Sequence, residues 1–202
     1  MALSGQQSGA ADQTHEMVGA GPAAGRKAVF LDRDGVIVVP EFRDGRSFAP
    51  ARIEDYRFYP DVAAALSRLR AAGYVLVVVT NQPEVGRGLI AEEILVEMHR
   101  RLLATFPVDS IKVCRHEAAD GCECRKPKPG MLLEAANELG ISLPDSYMVG
   151  DRRTDVEAGR AAGCRTVFID LGYTAELKPD RASLVVSSIR EAADAILAAT
   201  PA

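Results

Sequence analysis

Asp32 and Asp34 stand two positions apart at the end of an apolar run, and Gly35 follows them. In extended backbone, side chains at i and i+2 point the same way. Both carboxylates can therefore face one pocket, one placed to attack and the other to move a proton. Asp151 follows a second apolar run ending in Val149-Gly150. Carboxylates gathered at one place repel, and Mg2+, a hard ion that prefers oxygen ligands, suits such a set. Thr80 directly follows the run Val75 to Val79 and offers a hydroxyl, and Lys126, held between Arg125 and Pro127, offers an ammonium. Taken singly, Asp-x-Asp-Gly is also a turn sequence, Thr80 also a cap and Lys126 also a surface cation. Taken together they supply the parts of a phosphoryl-transfer site: a nucleophile, a cation and donors around the equatorial oxygens.

A second group lies just upstream of Lys126. Cys114-x-His116-x5-Cys122-x-Cys124 places three thiolates and an imidazole within eleven positions. That is a complete tetrahedral Zn2+ set with no position left for water, the composition of a structural site. The intervening residues 117–121 are too polar to pack themselves, so the metal would order the loop and, with it, Arg125 and Lys126.

The elements that must position these residues follow from hydrophobic patterning. Short apolar, mostly β-branched runs at 28–31, 74–79, 111–113, 147–149, 166–169 and 184–186 alternate with helical patterns at about 61–72, 91–105, 129–139, 154–162 and 188–199. Alternation of this kind predicts an α/β fold with right-handed crossovers and a mostly parallel sheet covered on both faces. Such sheets bind ligands in the crevice beyond the carboxyl ends of the strands, where Asp32, Thr80, Lys126 and Asp151 all fall. Only a short flap (Pro40 to Tyr59) and one helix separate Gly35 from Thr80. One helix, one strand and the Cys/His loop separate Gln82 from Arg125. Neither interval has room for a cap domain.

The chain has 202 residues, 48% of them hydrophobic, and a formal charge of −4. Residues 26–202 are read as one domain and residues 1–25, rich in Gly, Ala, Ser and Gln, as a flexible extension without a secretory pattern. Lys and Arg are scattered, which argues against a nucleic-acid surface, and no run approaches the roughly 20 apolar residues of a membrane span. A cytoplasmic monomer acting on a small phosphorylated metabolite is the expectation. Among the remaining features, His99 is expected on the surface, Cys164 in the core, and Arg87, Tyr173 and Lys178 near the pocket edge without an assigned role.

In order, and over Lys27 to about Ala199, the motifs Asp32-x-Asp34-Gly35, Thr80, Lys126 and Gly150-Asp151-x-x-x-Asp155 resemble those of the haloacid dehalogenase-like (HAD-like) superfamily. The resemblance implies a three-layer, Rossmann-like sheet and an aspartyl-phosphate mechanism. It makes Asp32 the nucleophile and Asp34 the acid and base, with Thr80 and Lys126 holding the transferring group. Asp32, the Asp34 backbone carbonyl and Asp151 would bind Mg2+, supported by Asp155. The signature Cys-x-His … Cys-x-Cys-Arg-Lys-Pro is similar to the branch containing D-glycero-D-manno-heptose 1,7-bisphosphate phosphatases and histidinol-phosphate phosphatases. By that similarity Asn81, Gln82, Arg125 and Arg152 contact substrate, and the 7-phosphate of the heptose bisphosphate is the expected target. Three features depart from the heptose pattern: Pro40-Glu-Phe-Arg-Asp-Gly45 after the first motif, the five-residue spacer of the Cys/His loop, and Arg152 after Asp151. The last two are nearer the histidinol-phosphate enzymes. A catalytically silent zinc module is the reading from another class, and the presence of both Asp32 and Asp34 speaks against it.

Overall fold

The structure, a computed structural model, describes residues 25–199. The expected extension, residues 1–25, lies outside the described residues except for Gly25. Six strands, β1 (Ala28–Leu31), β4 (Val75–Asn81), β5 (Ser110–Cys114), β6 (Tyr147–Gly150), β7 (Arg165–Ile169) and β8 (Leu184–Val186), form one sheet in the order β5-β4-β1-β6-β7-β8. Every pairing in it is parallel. The expected strands and helices are all present, with ends moved by one or two residues.

The period-two alternation of strands divides the core into two layers. Val29, Leu31, Leu76 and Val78 pack on one face with Leu66 of α1 (Val62–Ala71), Met98 of α3 (Glu92–Thr105) and Ile196 of α6 (Ile189–Ala198). Phe30, Val75, Val77 and Met148 pack on the other face with Leu132 of α4 (Gly130–Leu139) and Ala158 of α5 (Arg153–Ala162). Cys164 is buried in this second layer, as expected.

From β1 the chain winds outward through β4 to β5, then returns to place β6 on the other flank of β1. The reversal makes a topological switch point at the carboxyl end of β1, where open α/β sheets bind ligands. The interval before α1 holds an antiparallel hairpin of β2 (Glu41–Arg43) and β3 (Arg46–Phe48). Its two turn residues, Asp44 and Gly45, both have positive φ, the type I′ geometry that matches strand twist. The interval after β4 holds the single turn α2 (Pro83–Gly86) and α3. Neither contains a cap domain. No described helix is long and apolar enough to cross a membrane.

Candidate active site

Asp32 leaves the sheet one residue beyond β1, Thr80 and Asn81 end β4, and Asp151 follows β6 directly. Lys126 arrives from the segment joining the Cys/His loop to α4, across a cis Lys126–Pro127 peptide. Asp32, Thr80, Asn81 and Lys126, with Asp34, Ser47, Phe48, Arg152 and Asp155, line a cleft of about 90 Å3, and Asp151 adjoins Asp32 and Asp155 beside it. That volume is well under the roughly 300–1,000 Å3 of a pocket that buries a whole ligand. The cleft therefore encloses a group of phosphoryl size and leaves the rest of a ligand at its rim.

The Lys126 ammonium organises the floor. It is buried and lies 2.9 Å from Asp32 Oδ1 and 2.7 Å from Asp155 Oδ1, and it donates to the Val79 carbonyl at 2.8 Å. Burial opposes its charge, but Asp155 and Asp32 outweigh that effect and raise its pKa. The Arg33 amide also donates to Asp32 Oδ1, at 2.7 Å. Asp155 reaches the cluster from the first turn of α5, where its other oxygen, Oδ2, accepts from the Arg152 amide at 3.0 Å.

Asp32, Asp151 and Asp155 each offer an oxygen within 4.8 Å of the other two. Burial and the charges of Asp32 and Asp155 push the Asp151 carboxyl well above its ordinary range. For Asp155 burial is the largest influence, partly offset by Lys126, and its pKa rises to about 6. Asp151 Oδ1 is buried without a hydrogen-bond partner. An all-oxygen set with excess negative charge and an orphaned carboxylate oxygen fits a hard divalent cation. Gly35, at φ 93°, makes the approach possible, since a Cβ there would lie 2.0 Å from Asp151 Oδ2.

Asp34 faces differently. Arg33 Nη2 donates to its Oδ2 at 2.8 Å, and Gln82 Nε2 donates to the same oxygen at 2.8 Å and to Thr80 Oγ1 at 2.9 Å. Gln82 thus anchors the Asp34 carboxylate and the Thr80 hydroxyl together. Arg33, in the bend beyond β1, turns its fully buried side chain onto the neighbouring Asp34 carboxylate. There it lies 3.4 Å from His99 Nε2 and 5.7 Å from the Tyr56 ring centroid. His99 is therefore not the surface residue expected: burial, then Arg33, lower its pKa to about 4.

The four expected substrate residues separate into two kinds. Asn81 and Arg152 line the cleft; Arg152 is held by the Ser47 carbonyl and hydroxyl, each at 2.7 Å. Gln82 is buried behind Asp34 and Thr80, and Arg125 donates to the His116 carbonyl at 3.0 Å and is not among the cleft-lining residues. Arg87 pairs with Glu84 and with Glu117 of the Cys/His loop, and Lys178 pairs with Asp170. Sequence reasoning assigned no role to Ser47 or Tyr173. Tyr173 donates to Asp151 Oδ2 at 2.6 Å, and no local pattern carries contacts made across 105 and 22 positions of chain.

Beside this cluster, the ligand atoms of Cys114, His116, Cys122 and Cys124 converge. Sulfur–sulfur separations of 3.7 Å and 3.5 Å and sulfur–Nδ1 separations of 3.6 Å and 3.2 Å match a tetrahedral zinc site. Its bond lengths imply roughly 3.8 Å between sulfurs and roughly 3.5 Å between sulfur and nitrogen. Burial, with Cys114 and Cys122 crowded against it, pushes the Cys124 thiol up to about 12.

A HAD-hydrolase-like family model matches residues 123–192. The D-glycero-beta-D-manno-heptose-1,7-bisphosphate 7-phosphatase of Vibrio cholerae is 37% identical over 182 residues, spanning 82% of this chain and 94% of that protein. Its namesake from Rhodopseudomonas palustris is 37% identical over 150 residues, 68% of this chain and 80% of that one. Among solved structures, the D,D-heptose 1,7-bisphosphate phosphatase from B. bronchiseptica, complexed with magnesium and phosphate, aligns with a TM-score of 0.73 at 30% identity. The alignment covers 86% of this chain and 99% of the other.

Proposed function

The chain belongs to the HAD-like hydrolases, among the D-glycero-beta-D-manno-heptose-1,7-bisphosphate 7-phosphatases, and from this premise we propose that it removes the 7-phosphate of that sugar bisphosphate. The observation that carries the reading is the Lys126 ammonium bridging Asp32 and Asp155 at the floor of the cleft. A cation fixed beside a carboxylate nucleophile both holds an incoming phosphoryl oxygen and limits its repulsion from Asp32.

Chemistry begins with attack of the Asp32 carboxylate on phosphorus. A bond forms between an Asp32 oxygen and phosphorus as the bond from phosphorus to the sugar oxygen breaks, and Asp34 gives that oxygen its proton. Asp34 then takes a proton from water, which attacks the phosphorus of the Asp32 acyl phosphate and releases inorganic phosphate with Asp32 restored. Thr80 Oγ1 and Lys126 Nζ stabilise the equatorial oxygens in both steps. Gln82 keeps Asp34 and Thr80 in register, and Asn81 and Arg152 meet the substrate at the cleft wall.

Asp32, the Asp34 main-chain carbonyl and Asp151 would hold Mg2+, with Asp155 beside them; when bound, the ion supplies charge neutralisation around the phosphoryl group. Cys114, His116, Cys122 and Cys124 would hold Zn2+ in a closed structural site. A cytoplasmic setting keeps these thiols reduced, the state that zinc binding needs.

Phosphate release from the heptose bisphosphate and from histidinol phosphate, each with MgCl2, tests the assignment. The heptose substrate should give the larger kcat/KM; a preference for histidinol phosphate overturns the substrate choice. Asp32→Asn should lose activity by on the order of 10^4-fold or more, as removal of a covalent nucleophile does, with the fold intact by circular dichroism. Near-normal kcat in that variant would remove Asp32 from its role.

A further inference from the structure

The loop after β7 turns back over the carboxyl end of the sheet, and within it Tyr173 is buried, 8% exposed. Its hydroxyl donates to Asp151 Oδ2 at 2.6 Å, while Asp151 Oδ1 has no hydrogen-bond partner. A carboxylate tied at one oxygen cannot turn freely, so the position of its other oxygen is set by the tie. The Asp32–Gly35 turn packs against the same carboxylate, since a Cβ on Gly35 would lie 2.0 Å from Oδ2 and 2.9 Å from Oδ1. Asp151 is thus held by a phenol and a backbone wall.

Tyr173 is in turn held by the hairpin. Phe42 of β2, 56% exposed, stacks on its ring with centroids 5.8 Å apart. The Ala175 amide donates to the Gly45 carbonyl in the hairpin turn at 3.1 Å. Ser47 of β3 accepts from Arg152, the residue next to Asp151. The same hairpin supplies Ser47 and Phe48 to the wall of the cleft. One element therefore touches the substrate space and, through Tyr173, a carboxylate of the cation cluster.

We propose that Tyr173 is a positioning residue that presents Asp151 to the divalent cation, and that the β2–β3 hairpin, through Phe42 and Gly45, sets Tyr173 and so tunes cation affinity. The inference rests on reading Asp32, Asp151 and Asp155 as the Mg2+ site. A phenol that orients a metal-binding carboxylate acts on affinity for the ion rather than on the chemical step. A phenol that merely fills space changes stability and leaves affinity alone.

Isothermal titration of MgCl2 into the zinc-loaded full chain, its Tyr173→Phe variant and its Phe42→Ala variant separates the two. Outer-sphere partners of ligands are typically worth tenfold or more in affinity, so Y173F should bind Mg2+ about tenfold more weakly. Its kcat for phosphate release should return to within about twofold of wild type once MgCl2 saturates, since the chemical groups are untouched. F42A should weaken Mg2+ binding in the same direction by a smaller factor, and as a surface change it carries the test if Y173F does not fold. Wild-type affinity in Y173F overturns the role of Tyr173, and wild-type affinity in F42A overturns the coupling to the hairpin. A wild-type chain that takes up no Mg2+ overturns instead the reading of the cluster on which the inference stands.

Discussion

Two ligand clusters flank Lys126, and they manage the same electrostatic problem in opposite ways. In the carboxylate cluster, Lys126 already pairs with Asp32 and Asp155, and Tyr173 already satisfies one oxygen of Asp151. In the thiol cluster the side-chain contacts of the four ligand atoms are with one another, and only main-chain amides, of His116 at Cys114 and of Arg125 and Cys124 at Cys122, join them. Without a metal, the first retains a salt-bridged floor, whereas the second has no oppositely charged side chain among its ligand atoms and its Cys124 thiol keeps its proton. A protein that must exchange an ion during its working life benefits from a site that stands without it. A protein that needs a loop fixed once benefits from a site that cannot. The oxygen set matches the first need and suits Mg2+, and the sulfur–imidazole set matches the second, as the proposed Zn2+ site requires.

The contrast is tested most severely by removing zinc. Structural zinc sites contribute their binding energy directly to folding, and the segment at stake runs straight into Arg125 and Lys126. Chelation, or Cys122→Ser, should expose the 114–124 loop to proteolysis and lower kcat about tenfold to a hundredfold even with Mg2+ in excess, in the range of losses at supporting positions of metal sites. Removing Mg2+ should abolish turnover while leaving that loop protected. If limited proteolysis found the loop unchanged in verified zinc-free protein, the two clusters would not differ as argued.

How far this division was legible in the sequence depended on whether the contact was local. Asp32, Thr80 and Asp151 come together where the sequence places them, because each lies at or just beyond the end of an apolar strand and parallel topology carries all such positions to one edge. The thiol cluster was found because its four ligands fall within eleven residues. Arg33 stands between the two aspartates with its side chain turned inward, toward Asp34, His99 and Tyr56, contacts made beyond the end of β1 where no strand alternation aims them. That inward arginine is also why His99 is partly buried rather than on the surface. Ser47 and Tyr173 act only across the hairpin and the loop after β7: β3 alternates over just three residues with Ser47 inward, too few to read in a sequence, and the loop has no periodicity. Arg125 illustrates the converse: its position after Cys124 was legible, while its hydrogen bond to the His116 carbonyl required coordinates.

A smaller effect separates the clusters by pH. The Asp155 carboxyl titrates at about 6 in the folded chain, raised from 3.8 first by burial. Between these values the folded protein holds a proton that the unfolded chain has released. The contribution of Asp155 to metal-free stability therefore falls as pH rises from about 4 to about 6, by on the order of 3 kcal/mol, and Asp151, raised further still, carries the same trend to higher pH. A divalent cation should reverse the loss by favouring the charged form. The rise in Tm on adding MgCl2 should accordingly be larger at pH 7 than at pH 5; an equal rise at both would show that Asp155 lies outside the cation's reach.

The smallest effect is expected where the clusters meet. Asn81 clasps Lys126 at both main-chain groups: its Nδ2 donates to the Lys126 carbonyl and its Oδ1 accepts from the Lys126 amide, each at 3.1 Å. The neighbouring Gln82 main-chain amide donates to the Cys114 carbonyl at 2.7 Å, so the end of β4 touches both Lys126 and the backbone of the proposed zinc ligand Cys114. Two hydrogen bonds of this kind are together worth about 1–3 kcal/mol, a loss the zinc-fixed loop can partly absorb. Asn81→Ala should therefore lower kcat about tenfold or less in zinc-loaded enzyme and further in zinc-free enzyme, because clasp and metal hold the same lysine from opposite sides. Measuring kcat for both forms, with and without the substitution, gives the coupling directly. A zero coupling energy would mean that zinc reaches catalysis by some route other than the position of Lys126.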